Sequence, residues 1–161
     1  MENKKWPFYK PPEANLGIGS FVADWSSENT YYTELEIVVG DEELKKFNVD
    51  PVDLIKIDVE GYEIPVLQGL AQTLARHRPI VVFELSIHPA NELSFKSIEH
   101  VKNAFPKRYE FLAFKRWDEY TGFYELGSLH DIVRFDLLSQ YNVVAYPQER
   151  MAQIPRKNLR D

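Results

Sequence analysis

Asp58, Glu60 and Glu84 are the residues of this chain best suited to acid–base chemistry, because each carboxylate stands at or near the end of an apolar run of strand length. Asp58 and Glu60 belong to residues 52–63, VDLIKIDVEGYE. A two-residue period there puts Leu54, Lys56, Asp58 and Glu60 on one face and Ile55, Ile57 and Val59 on the other. A central strand of a covered sheet reads as nearly continuous Val, Ile and Leu, so a line of charge on it is costly and needs a reason. Lys56 and Asp58, two residues apart on one face, can neutralise each other as an ion pair or act on a ligand. Glu84 lies near the end of residues 79–86, PIVVFELS, and His88 follows in a loop where it could act as a base. These acids and His88 are also donors that a divalent cation accepts, but their spacing fits no recognised metal motif and no metal ligand is assigned.

The elements that position these groups follow from periodicity. Ile64, Leu67, Leu70, Ala71 and Leu74 recur at helical spacing behind Pro65, and Pro79 ends the helix. Strand, helix and strand of this length imply a parallel, right-handed crossover. Asp58, Glu60 and Glu84 would then reach one crevice outside the strand ends, where open α/β sheets bind ligands. Gly61 points to a turn with positive φ or a close backbone approach, and Glu63 reads as a first-turn acid that complements the helix dipole.

Elsewhere the signals are coarser. Residues 1–30 are rich in Pro, Asn, Ser and Glu and read as loop; residues 33–39 read as a strand ending at Gly40, after which Asp41 caps a helix through Phe47. Ser94 is expected to cap a helix bearing Phe95, Ile98, Val101 and Phe105. Residues 109–115 and a stretch within 142–146 read as strands, residues 131–138 as a short helix or a further strand, and the chain from Pro147 as a polar, frayed tail. His77, His100 and His130 read as surface positions. Trp6, Trp25, Trp117, Tyr31, Tyr32 and Tyr120 could line a groove, though aromatic residues more often pack.

At 161 residues with 44% hydrophobic and 27% charged content, one domain is the natural count. The formal charge of −6, with no basic block, argues against nucleic acid as a partner. Without cysteine there is no disulfide framework. No apolar run approaches the roughly 20 residues of a membrane span, and the amino terminus lacks the apolar core of a secretory signal, so a cytoplasmic location is expected.

Several of these segments together resemble a known family. Ile55-Lys56-Ile57-Asp58-Val59-Glu60-Gly61-Tyr62-Glu63, then Leu67-Gln68-Gly69, then Arg78-Pro79-Ile80-Val81-Val82-Phe83-Glu84 resembles the signature of the FkbM family of methyltransferases. Asn15-Leu16-Gly17-Ile18-Gly19-Ser20 is similar to that family's Asn-x-Gly-x-x-Ser segment. The resemblance implies a class I, Rossmann-like α/β fold whose sheet is mostly parallel with an antiparallel carboxyl-terminal strand and helices on its faces. It places the signature on the fourth strand, the next helix and the fifth strand. It also implies S-adenosylmethionine as cofactor and methyl transfer to a hydroxyl of a small molecule or glycan. On that chemistry Asp58, Glu60 and Glu84 are the expected catalytic residues, and Lys56, Gly61 and His88 the expected substrate-binding residues.

The sequence departs from that pattern in its first part. Gly17-Ile18-Gly19 follows a proline-rich segment rather than an apolar strand, so it reads as a turn and not as a cofactor loop. No acid at the end of a second strand is found, and the cofactor-binding residues stay unassigned. Residues 31–150 therefore read as the carboxyl-terminal part of the family domain, truncated, between a loop-rich segment 1–30 and a polar tail 151–161. Two other readings remain: a noncatalytic remnant serving as an interaction module, and a metal-dependent hydrolase. The first predicts that a dimer contact or an amino-terminal segment covers the exposed edge of the signature strand.

Overall fold

The structure, a computed structural model, describes residues 4–10, 19, 21, 30–88, 91–118 and 120–154. The signature strand β3 (Leu54–Ile57) pairs in parallel with β4 (Ile80–Ile87), as the crossover requires. Between them the helical pattern forms two short helices, α2 (Glu63–Gly69) and α3 (Ala71–His77), broken at Leu70. Arg78, in the left-handed region at φ 49°, ends α3 and turns the chain into Pro79.

The five-stranded sheet continues past β4 with β7 (Ser139–Pro147), β5 (Tyr109–Asp118) and β6 (Phe123–Ser128), in the order β3-β4-β7-β5-β6. Only β3 and β4 are parallel neighbours; β4–β7, β7–β5 and β5–β6 all pair antiparallel. The expectation of a mostly parallel sheet is thus corrected to a mixed one, while the carboxyl-terminal strand is antiparallel as expected. The physical reason is insertion: β7 slides between β4 and β5, which run in the same direction, and so converts one parallel contact into two antiparallel ones. The arrangement is compatible with a methyltransferase-like fold.

Helices cover one face of this sheet among the described residues, rather than both. Leu67 and Leu74, with Val101 of α4 (Ile98–Asn103) and Leu129 of α5 (Leu129–Ile132), bury against Ile57, Val81, Phe83, Leu85, Val143 and Ala145. On the other face Leu112, Leu126, Val144 and Tyr146 form a smaller cluster that Ile154 joins. Lys56 shares that second face with Val82 on β3, the edge strand of the sheet among the described residues, and its exposed charge meets solvent and not a core. The cost expected for a charged line in a buried strand does not arise.

Other local expectations change in the same way, through contacts distant in sequence. Lys4–Lys10 forms β1 and pairs antiparallel with β2 (Thr30–Ile37) in a separate two-stranded sheet, so this part of residues 1–30 is strand and not loop. Helix α1 (Gly40–Lys46) has no side-chain cap. Asp41 instead caps α3 from outside, accepting from the Gln72 and Thr73 amides at 2.8 and 2.9 Å and from the Thr73 hydroxyl at 2.6 Å. Asp41→Ala removes all three hydrogen bonds at once and is expected to cost about 1–2 kcal/mol of stability, read as a lower urea midpoint with unchanged slope. Ser97, not Ser94, caps α4 through the His100 amide.

Past β7, Gln148–Gln153 is a 3-10 helix held down by the Arg78–Glu149 ion pair and by Arg150 on Asp53, so the segment after Pro147 is docked at least to Ile154. His77 is likewise tied in, its Nδ1 accepting from the Val52 amide at 3.3 Å, and His100 is half-buried beside Phe95. His130 is exposed, as expected. Of the aromatic residues, Trp6 lines a cavity whereas Trp117 and Tyr120 are exposed; Trp25 lies outside the described residues, as do the side chains of Tyr31 and Tyr32. No helix among the described residues is long and apolar enough to cross a membrane.

Candidate functional site

The parallel pairing of β3 and β4 brings their carboxyl ends side by side, and one ligand-type oxygen from each of Asp58, Glu60 and Glu84 lies within 4.8 Å of the other two. Lys56, one turn of the pleat before Asp58, extends its Nζ to Asp58 Oδ2 at 2.8 Å. Both partners of that pair are 53% exposed, so it contributes at most about 1 kcal/mol and serves mainly to hold the Asp58 carboxylate in place. Glu60 and Gly61 both take positive φ, 48° and 92°. A non-glycine residue held there costs about 1–3 kcal/mol, the kind of strain that folded proteins tolerate where a side chain must be aimed. Here it turns Glu60 back toward Glu84.

Gln140 completes the group from β7. Its Nε2 donates to Glu60 Oε2 at 2.9 Å and to Glu84 Oε2 at 3.3 Å, bridging two carboxylates that would otherwise repel each other. Burial raises the Glu60 pKa, the Asp58 charge raises it further, and the Gln140 bond opposes both. Glu84 is raised as well, first by burial and then by the charges of Glu60 and Asp58. Carboxylates lifted this way bind protons better than free ones at the pH where they remain ionised.

Glu63 stands in the first turn of α2 as expected, and it is wholly buried. Its Oε1 accepts from the Gly61 amide at 2.9 Å, which fixes the turn that presents Glu60, while its Oε2 meets no partner. Burial pushes its pKa up to about 7 against the opposing hydrogen bond from Gly61. The Ser86 hydroxyl lies near enough to temper that shift, yet it too lacks a hydrogen bond of acceptable geometry. Ser94, displaced from its expected cap, accepts from the His88 amide at 2.9 Å and donates to the Ser86 carbonyl at 3.0 Å, fixing the chain as it leaves β4.

Two cavities flank the Glu60–Gly61 turn. A larger one of about 480 Å³ is mainly apolar, with Trp6, Phe21, Val59, Tyr62, Pro65 and Leu70 in its wall. A smaller one of about 210 Å³ is lined by Gly61, Ser86, His88, Asn91, Ser139 and Gln140, among others. The structure therefore gathers Asp58, Glu60 and Glu84 into one cluster and sets Gly61 and His88 together in the adjoining small cavity. Lys56 stands apart from that cavity, bound to Asp58.

These positions coincide with the part of the chain that carries the recognisable motif. A model of the methyltransferase FkbM domain matches residues 5–133. The chain belongs to the FkbM methyltransferase family. No curated protein and no solved structure matches it. The FkbM signature thus occupies β3, the turn after it, α2 and β4, and the acidic cluster is what the signature builds. Most of the FkbM-like segment at residues 15–20 lies outside the described residues; Gly19 is described, and the Phe8 ring occupies the space a Cβ there would need. Gln140 lies past the matched stretch and was not legible beforehand, since nothing near it in the sequence separates it from any polar strand residue.

Proposed function

We propose that this chain methylates a hydroxyl of a small-molecule or glycan acceptor, with S-adenosylmethionine as donor. The observation that carries the reading is the convergence of Asp58, Glu60 and Glu84 at the strand ends of a chain with the FkbM domain. A cofactor whose reacting sulfur is positively charged fits a site with this anionic donor set. When bound, it supplies an electrophilic methyl group, whose bond to sulfur breaks as its bond to the acceptor oxygen forms.

The residues of the chain have the remaining work. Glu60, aimed by the strained turn and held by Gln140, accepts the hydroxyl proton as general base. The Asp58 charge raises its basicity, and Glu84, whose own pKa Glu60 raises, adds to the negative potential. No covalent nucleophile is required, and the gain comes chiefly from proximity and orientation.

Calorimetry of the purified chain with S-adenosylmethionine tests this directly, with release of S-adenosylhomocysteine as the second readout. Saturable binding is expected, and turnover is expected to persist in excess EDTA. Absence of binding at millimolar cofactor would sink autonomous methyl transfer. Loss of turnover on chelation would instead support a divalent cation on the three carboxylates, whose ligand atoms are close enough to share one.

A further inference from the structure

The small cavity beside the acidic cluster has features that the methyl-transfer reading does not use. It lies where the end of β4 meets the start of β7, and two of its lining residues bring buried polar atoms without a hydrogen bond of acceptable geometry, His88 Nδ1 and Ser86 Oγ, the latter beside Glu63. Leaving such an atom unsatisfied costs about 1–3 kcal/mol, so folded chains usually pair it with protein, water or ligand. Ser139 and Asn91 contribute further polar wall, and Gly61 of the turn that presents Glu60 also lines it. Gln140 belongs to both places: it lines the cavity and donates to Glu60 and Glu84. A ligand in the cavity is therefore one residue away from the proposed general base.

We propose that this cavity is an acceptor subsite for an uncharged, hydroxyl-rich molecule such as a sugar ring, with His88 and Ser86 holding a hydroxyl next to the one that Glu60 deprotonates. The proposal rests on the methyl-transfer reading and adds a substrate class to it. Size supports a partial occupant: about 210 Å³ is below the roughly 300–1,000 Å³ of whole-ligand sites, so one ring-sized portion enters and the rest of the acceptor stays outside. Hydrogen-bonding type supports a hydroxyl, which donates and accepts at once and so can satisfy the imidazole nitrogen and the serine oxygen together.

Charge selects further. Asp58, Glu60, Glu63 and Glu84 surround this end of the sheet, and the one cation among the described residues in contact with the cluster, Lys56, is committed to Asp58. A phosphate or carboxylate on the acceptor would meet a net excess of like charge, since Lys96 is set against the four acids with its ammonium already donating to the carbonyls of the lining residues His88 and Asn91. Neutral polyols enter where their phosphorylated counterparts are repelled.

The probes are methyl glucoside, myo-inositol and glycerol, with glucose 6-phosphate as the anionic comparison, each titrated into the intact chain while the histidine ring nitrogens are followed by NMR. At least one neutral probe is expected to shift the His88 ring signal and leave that of exposed His130 unchanged. Glucose 6-phosphate is expected to shift neither. Ser86→Ala should weaken the successful probe about fivefold or more, as loss of one hydrogen bond implies. His88→Gln supplies the same measurement by saturation transfer should the serine variant fail to fold. An unmoved His88 signal with every neutral probe, or binding of the phosphate as tight as that of the neutral sugar, overturns the subsite. Calorimetry with S-adenosylhomocysteine on the same sample separates the two claims: cofactor binding without polyol binding removes the subsite alone, whereas polyol binding without cofactor binding removes methyl transfer and with it the acceptor role of the cavity.

Discussion

Glu60→Gln is expected to lower kcat by about 10²–10⁴-fold, the usual span for removing a positioned general base. The amide keeps the shape of the side chain but can no longer take a proton. Because burial and the Asp58 charge raise the Glu60 pKa, the acidic limb of kcat/KM in the parent chain should fall above the ordinary glutamate value of 4.5. Activity rises with pH through that limb as Glu60 loses its proton. Asp58→Asn takes away the second of the two causes and is expected to move the limb toward lower pH without abolishing turnover. It also frees Lys56, whose cation would then add to the same downward movement. Glu60→Gln with undiminished kcat would show that the base lies elsewhere, and Glu84 is then the next carboxylate to replace. An unmoved limb in Asp58→Asn would mean that the two carboxylates are not electrostatically coupled in solution.

The parts of this site that could be read from sequence are those carried by local pattern. Alternation over residues 54–59 places Lys56 and Ile57 on opposite faces, and the structure keeps them there, Lys56 exposed and Ile57 3% exposed. The crossover between β3 and β4 follows from one helical stretch between two apolar runs, and with it the meeting of Asp58, Glu60 and Glu84. What could not be read depends on partners far away in the chain. β7 inserts between β4 and β5 because its two faces match both clusters, a fact about tertiary packing that its own alternation does not contain. β6 was not anticipated either: its FYELGS sequence holds a glycine and a glutamate, and its pairing with β5 comes from the hairpin around Gly122, at φ 66°. Asp41 and Ser94 both carry the signal of a cap for the helix that follows them, since short polar side chains before an apolar pattern are cap signals. Each found a better use across space, Asp41 on α3 and Ser94 between Ser86 and His88. Exposure misled in the opposite direction at Lys56 and Asp58, because whether a sheet face is covered is decided by elements elsewhere.

Glu63 is the residue whose sequence reading differs most from its structure, and it gives the largest expected effect on stability. Its pKa rises from 4.5 to about 7 because burial penalises the charged form. Below pH 4.5 the group is neutral in both folded and unfolded chains and costs nothing. Between 4.5 and about 7 the unfolded chain releases the proton while the folded one retains it, so stability falls as pH rises; above about 7 the loss is complete. A shift of this size corresponds to about 3 kcal/mol. Glu63→Gln stays neutral at every pH, keeps an oxygen for the Gly61 amide, and turns the partnerless Oε2 into a donor beside the Ser86 hydroxyl. The variant should therefore unfold at nearly the same temperature as the parent at pH 4.5 and about 6–12 °C higher at pH 8, read by thermal scans at both values. Equal differences at the two pH values would mean that Glu63 is solvated as a charged group and that the turn presenting Glu60 is looser than its geometry implies. A Glu63→Gln chain that gains stability at pH 8 yet loses turnover would place the ionised form of Glu63 in the reaction, since the hydrogen bond to Gly61 survives the substitution and only the charge does not.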